Sequence, residues 1–224
     1  MNTLFRSTPL LLVLALSACQ RPQPAAEVLA PAKDVTTQTT GLGEEATRIG
    51  PDAVWNGSVE ACRSSTAGDA CLLQALRDSG ASAAALAAAR TLSAQGKPGY
   101  VSSWKNVDGV GVATLEFPFR ANTNQGTWLV DANGLAIDVD EEVLDDSTRA
   151  ADAYRAFAAK HPESGPFAPA VNVGSDPLPD GGLRLRYSTP LRSCHACADD
   201  GQLVLAYDFD AQRRFVGKQL LQLH

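Results

Sequence analysis

The amino-acid sequence predicts an α+β fold: an antiparallel sheet of hairpins, with an N-terminal helical hairpin and one further helix packed on it. Three observations carry this expectation. Leu72, Leu73 and Leu76, and then Leu86 and Leu92, fall at helical spacing between residues 70 and 95. Beyond Pro98 the apolar period changes from helical to alternating. Asp108-Gly109 and Asn133-Gly134 then stand between the alternating segments, and these are the pairs that tight hairpin turns with positive φ select.

In chain order, Asp69 reads as the N-cap of a first helix over residues 70–78, which Gly80 ends. Ser82 opens an alanine-rich second helix through Gln95, with Gly96 as its stop. Strands follow at 100–107 and 110–119 around Asp108-Gly109, and at 128–131 and 135–139 around Asn133-Gly134. In the last of these, Ile137 and Val139 alternate with Asp138 and Asp140, which puts the acids on a water-facing side. Asp145, Asp146 and Ser147 start a third helix that runs to Lys160, with Ala150, Tyr154, Phe157 and Ala158 on one side. Pro162 breaks it. Residues 163–179 read as a Pro/Gly-rich connection, and strands return at 183–188, 203–209 and 215–223, the last two joined at residues 210–213.

Ahead of the domain stands Leu16-Ser17-Ala18-Cys19, behind Arg6 and the apolar run Leu10 to Ala15. This segment resembles the lipobox of bacterial lipoprotein signal peptides. The resemblance implies cleavage before Cys19 and lipidation of the Cys19 thiol and amine. The apolar run is too short for a membrane span, which needs about 20 apolar residues. Gln20, and not Asp, follows Cys19, and in this family that implies the outer membrane. The resulting organisation is a signal peptide at 1–18, a lipidated flexible tether at 19–50 and a single periplasmic α+β domain at 51–224. The tether assignment rests on Pro, Ala, Gln, Thr and Gly without apolar periodicity.

Composition narrows the partners. Residues 1–18 contain Arg6 and no acid, so 18 bases face 25 acids in the remainder, a net charge of −7. That excess argues against nucleic acid or anionic head groups as partners. The single methionine is the initiator, which excludes a Met-rich copper site. The alanine content reads as coding bias. Beyond Cys19 four cysteines remain, and local pairing of Cys62 with Cys71 and Cys194 with Cys197 is the simplest of three connectivities.

Two segments carry the chemistry most worth weighing. Cys194-His195-Ala196-Cys197 has the spacing of a thiol–disulfide catalyst, and its histidine would favour a thiolate. No helix is expected after it, two acids follow at Asp199 and Asp200, and residue 198 is Ala where haem attachment needs His. Zinc would require two more ligands, with only His161 and His224 beyond His195. A structural bridge is therefore the expectation, with redox activity or metal binding as the alternatives. The other segment is the polar loop 117–126, where Arg120, Asn122, Asn124 and Gln125 are the candidate binding residues for a carboxylate, sugar or peptide. The competing reading is that the asparagines cap their own turns.

The acidic run Asp138, Asp140, Glu141, Glu142, Asp145 and Asp146 lacks the glycine-centred calcium loop and reads as a solvated strand edge and helix start. Ser102-Ser103-Trp104-Lys105 matches the Ser-x-x-Lys pattern of penicillin-binding enzymes, but it lies on a strand and the companion motifs are absent. From Trp104 onward the chain is similar to uncharacterised proteobacterial lipoproteins with segments like Phe-Pro-Phe-Arg-Ala-Asn-Thr-Asn at 117–124 and Cys-His-Ala-Cys at 194–197. That similarity implies no activity. The expectation is a membrane-anchored, non-catalytic binding or envelope-interaction module. It needs no cofactor or metal, and its partners are the lipid anchor and a periplasmic protein.

Overall fold

The computed structural model describes residues 48–224 apart from Ser65 and Glu142. Cys19, the signal and tether segments up to residue 47, and Glu142 of the acidic run lie outside the described residues. The described chain combines helices with antiparallel sheets and so belongs to the α+β class.

Helix α1 spans Gly68–Asp78 and α2 spans Ala83–Ala94. The first begins two residues earlier than its sequence pattern suggested. Ala67 is the N-cap, and Asp69 sits in the first turn, where its charge still complements the helix dipole. Ser82 caps α2 in the expected way, its hydroxyl accepting from the Ala85 N–H at 2.9 Å. The same hydroxyl donates to the Asp52 carbonyl, which ties α2 to the short 3-10 turn Pro51–Ala53.

The strands form two sheets where the sequence pattern suggested one. Strands β1 (Tyr100–Val107), β2 (Val110–Glu116), β3 (Gln125–Val130) and β4 (Ala136–Asp138) make a four-stranded sheet in that order. The β1–β2 turn has positive φ at both Asp108 (48°) and Gly109 (93°), and the Asn106 side chain accepts the Gly109 N–H at 2.8 Å. The second sheet contains β5 (Gly165–Pro166), β6 (Val171–Pro177), β7 (Leu183–Arg192), β8 (Gly201–Phe209) and β9 (Phe215–Leu223). Its order is β5-β7-β8-β9, with β6 also paired to β7.

Both β5 and β6 lie in the segment expected to be a connection. Pro166, Pro169, Gly174 and Pro177 obscured them, and edge strands tolerate such residues because one side of their backbone needs no partner. The third helix divides at Ala151, whose ψ of 136° is extended, into α3 (Asp146–Ala150) and α4 (Asp152–Lys160).

Every layer buries an apolar face. Trp55, Val59, Leu72 and Leu76 pack with Ala85 and Ala89 on one side of α2. On its other side Ala84, Ala88 and Leu92 meet Val101, Ala113, Leu115, Trp128 and Val130 of the first sheet. Alanine is thus structural here: side chains of one carbon let α2 lie close to a sheet and a helix at once. The opposite face of that sheet, with Val110 and Leu129, packs on Leu185, Leu203, Leu205, Tyr207 and Phe209 of the second sheet. Strand β3 is consequently buried on both sides. Among the described residues no helix is long and apolar enough to cross a membrane.

Candidate functional site

The loop between β2 and β3 is held by its own backbone bonds and by the Asn124 side chain. The Phe117 N–H donates to the Asn124 carbonyl at 2.7 Å, and the Arg120 N–H to the Phe117 carbonyl at 3.2 Å. Asn124 turns its side-chain nitrogen inward, donating to the Asn122 and Arg120 carbonyls at 3.2 Å each. Gln125 donates across the strand pair to Glu116 at 2.7 Å. The Arg120 guanidinium lies over the Phe117 ring, 3.9 Å from its centroid. Of the four candidates, therefore, Asn124 and Gln125 brace the loop, Arg120 is held on an aromatic face, and Asn122 is exposed at the tip.

Arg120 does not stand alone. A cleft of about 560 Å³ separates Pro118, Phe119 and Arg120 from Arg63, Thr66, Gly68 and Asp69 at the start of α1. Arg63, held by Glu60 at 2.9 Å, was not legible as a site residue. Its only sequence signal is proximity to Cys62, whose bridge to Cys71 (S–S 1.98 Å) fastens this corner to α1.

The Cys194–Cys197 bridge is formed, with an S–S distance of 2.10 Å, and lies in the exposed turn between β7 and β8. No helix follows it. The Cys197 N–H donates to the Cys194 carbonyl at 3.2 Å, Arg192 pairs with Asp199, and the His195 ring centroid lies 6.1 Å from that of Phe167. Ser102 and Ser103 lie on β1 and bond to Thr114 of β2. Among the described residues no three His, Cys, Asp or Glu side chains converge as a metal would require.

The acidic run differs most from its sequence reading. Asp140 does not face water; its carboxylate accepts the Thr127 N–H at 2.8 Å and the Ala170 N–H at 2.6 Å, joining β3 to the segment that enters β6. Gly126 leaves room for it, since a Cβ there would stand 3.3 Å from Asp140 Oδ2 and 2.8 Å from the Phe117 ring. Burial lifts the Asp140 carboxyl to about 6 against the pull of both N–H donors, and the nearby Asp138 and Glu141 charges push in the same direction. Asp145 behaves oppositely. Burial raises its pKa, but the Thr148 N–H, the Ser147 hydroxyl and Lys218 outweigh that and hold it at about 2. A period-2 pattern could not separate these acids, because the chain leaves the strand after Asp138 and turns from one sheet to the other.

That crossing outlines a second and larger cleft, of about 750 Å³, between edge strands β4 and β9. Ile137, Tyr207 and Phe215 give it an apolar lining. One end is closed where the Phe215 N–H donates to Asp131 at 3.2 Å and the Ala132 N–H to the Arg213 carbonyl at 2.9 Å. Near the other end Lys97 pairs with Glu141 (3.0 Å) and Asp138 (3.5 Å), and Lys218 with Asp145 (3.3 Å).

No protein-family model, curated protein sequence or solved structure matches the chain. The functional reading therefore rests on the residues themselves.

Proposed function

We propose that this chain is a lipid-anchored, non-catalytic binding domain, attached through Cys19 to the outer membrane, facing the periplasm, and docking a periplasmic protein through the 117–126 loop. The anchor reading is supported by Leu16-Ser17-Ala18-Cys19 and by the unpatterned residues that follow it. Two disulfides are in keeping with an oxidising compartment. In this reading the N-terminal helical hairpin, with one further helix packed on the sheet, is the rigid backing of the loop.

The observation that carries the binding role is the loop's internal bracing. Asn124, Gln125 and Phe117 hold its shape, which lowers the ordering cost of recognition, while Arg120 and Asn122 remain at the surface beside Arg63. An Arg guanidinium next to polar loop residues suits a carboxylate-bearing partner surface.

The test combines both halves of the proposal. Cys19→Ala is expected to abolish palmitate labelling and to move the protein from the membrane to the soluble envelope fraction. Arg120→Ala with Asn122→Ala is expected to leave the circular dichroism spectrum and thermal midpoint unchanged while removing periplasmic proteins captured by crosslinking. An unchanged crosslinking pattern would overturn the loop's role, and persistent labelling of Cys19→Ala would overturn the anchor.

A further inference from the structure

The cleft between β4 and β9 is physically separate from the loop and carries its own chemistry. Its volume of about 750 Å³ lies within the range of small-molecule pockets, roughly 300–1,000 Å³. The half-buried Phe215 ring and Ile137 side chain offer an apolar bed; Tyr207 borders it but is only 1% exposed. Around that bed stand three carboxylates, Asp138, Glu141 and Asp145, against two ammonium groups, Lys97 and Lys218. Both lysines are already committed to ion pairs, with side chains only 19% and 14% exposed.

Of the carboxylates, Asp145 is also fully used, its Oδ1 by the Thr148 N–H and the Ser147 hydroxyl and its Oδ2 by Lys218. Asp138 accepts the Asp140 and Glu141 N–H groups; Glu141 pairs with Lys97 but keeps a side chain 44% exposed. The site therefore holds one net negative charge beside an aromatic surface, and the chain as a whole is acidic. An anionic ligand would meet this excess charge and find both lysines occupied. A cation gains from the exposed Glu141 carboxylate and from the Phe215 ring together.

We propose that this cleft is a binding site for a small organic cation with an apolar body, of the arylalkylamine class, its ammonium beside Glu141 and its ring against Phe215 and Ile137. This is a second site, independent of the loop.

The test titrates the full chain with 2-phenylethylamine, with 2-phenylethanol as a neutral counterpart of similar size, and with 3-phenylpropanoate as the anion. Heat of binding and perturbation of the Ile137 and Phe215 NMR signals are the readouts. The amine is expected to saturate at least about tenfold more tightly than the alcohol, a gap of about 1.4 kcal/mol, and the anion is expected not to bind. Glu141→Lys reverses the net charge of the cleft and is expected to weaken the amine at least tenfold. Glu141→Gln, which keeps the side-chain size, is expected to give an intermediate loss. Equal binding of amine and alcohol, no saturation with the amine at millimolar concentration, or full amine affinity in folded Glu141→Lys would each overturn the proposal. Arg120→Ala is expected to leave amine binding unchanged, so failure of the loop and failure of the cleft are told apart.

Discussion

Asp140 shows how one side chain can join two sheets and make that joint sensitive to pH. Its carboxyl is raised from 3.8 to about 6, chiefly by burial. Because the folded state holds this proton more tightly than the unfolded chain, the Asp140 contribution is greatest below about pH 4 and declines as pH rises through about 6. A shift of about two units corresponds to a few kcal/mol. Thermal midpoints of the wild-type chain are therefore expected to fall between about pH 4 and 6.5. Asp140→Asn is expected to remove that slope, at the constant cost of aiming an amide N–H₂ toward a backbone donor. A slope that persists in the asparagine variant would show that another group titrates there. Asp145, held at about 2, has the opposite sign: its contribution is present above about pH 4 and is lost on further acidification.

The cysteine pairs belong to the same scale. Cys194–Cys197 is exposed, but it has no helix N-terminus to stabilise a thiolate, and Asp199 and Asp200 lie close in sequence. Its reduction potential is expected below about −300 mV, the range of structural bridges. A value between about −120 and −200 mV would instead assign it to thiol exchange.

At the scale of elements, the Ser82 cap is the clearest case of local chemistry deciding structure. Ser82→Ala removes both the bond from Ala85 and the link to Asp52, and is expected to cost about 1–2 kcal/mol in denaturant unfolding. Turns follow the same logic. Asp131 accepts from Asn133 and Leu135 within its own turn, at 2.8 and 2.9 Å, and then from Phe215 across the sheets. The first two bonds are the familiar habit of Asp in turns, whereas the third depends on where β9 lies. Strands β5 and β6 were hidden for a related reason. Their prolines and glycines contradict strand propensity, and only pairing to β7 makes them strands. The division of α3 from α4 at Ala151 has no sequence signal that we can identify.

At the scale of the molecule, the first sheet is covered by α2 on one side and by the second sheet on the other, and Trp128 lies between α2 and the sheet with 1% exposure. Trp128→Ala is expected to destabilise the chain by about 3–5 kcal/mol, because a cavity that size between packed layers cannot close. A loss below about 1 kcal/mol would mean that α2 settles onto the sheet with little resistance. Charge acts at this scale too: the chain is acidic, and the residues lining the β4–β9 cleft carry one more carboxylate than ammonium.

The amino-acid sequence by itself determined what local physics controls. Helical spacing of leucines, the Ser82 cap, the Asp108-Gly109 turn and the close cysteine pairs were legible because each acts within a few residues. The loop 117–126 was legible as polar and unusual. That Asn124 and Gln125 brace it while Arg120 shares a cleft with Arg63 was not, since those partners are set by packing. Tertiary structure alone decided that the strands divide into two sheets, that Asp140 turns inward, and that β4 and β9 leave a cleft between them. The physical reason is common to all three. Alternation says that a strand has two faces, but which face meets another layer, and which edge stays open, depends on contacts between residues far apart in the chain.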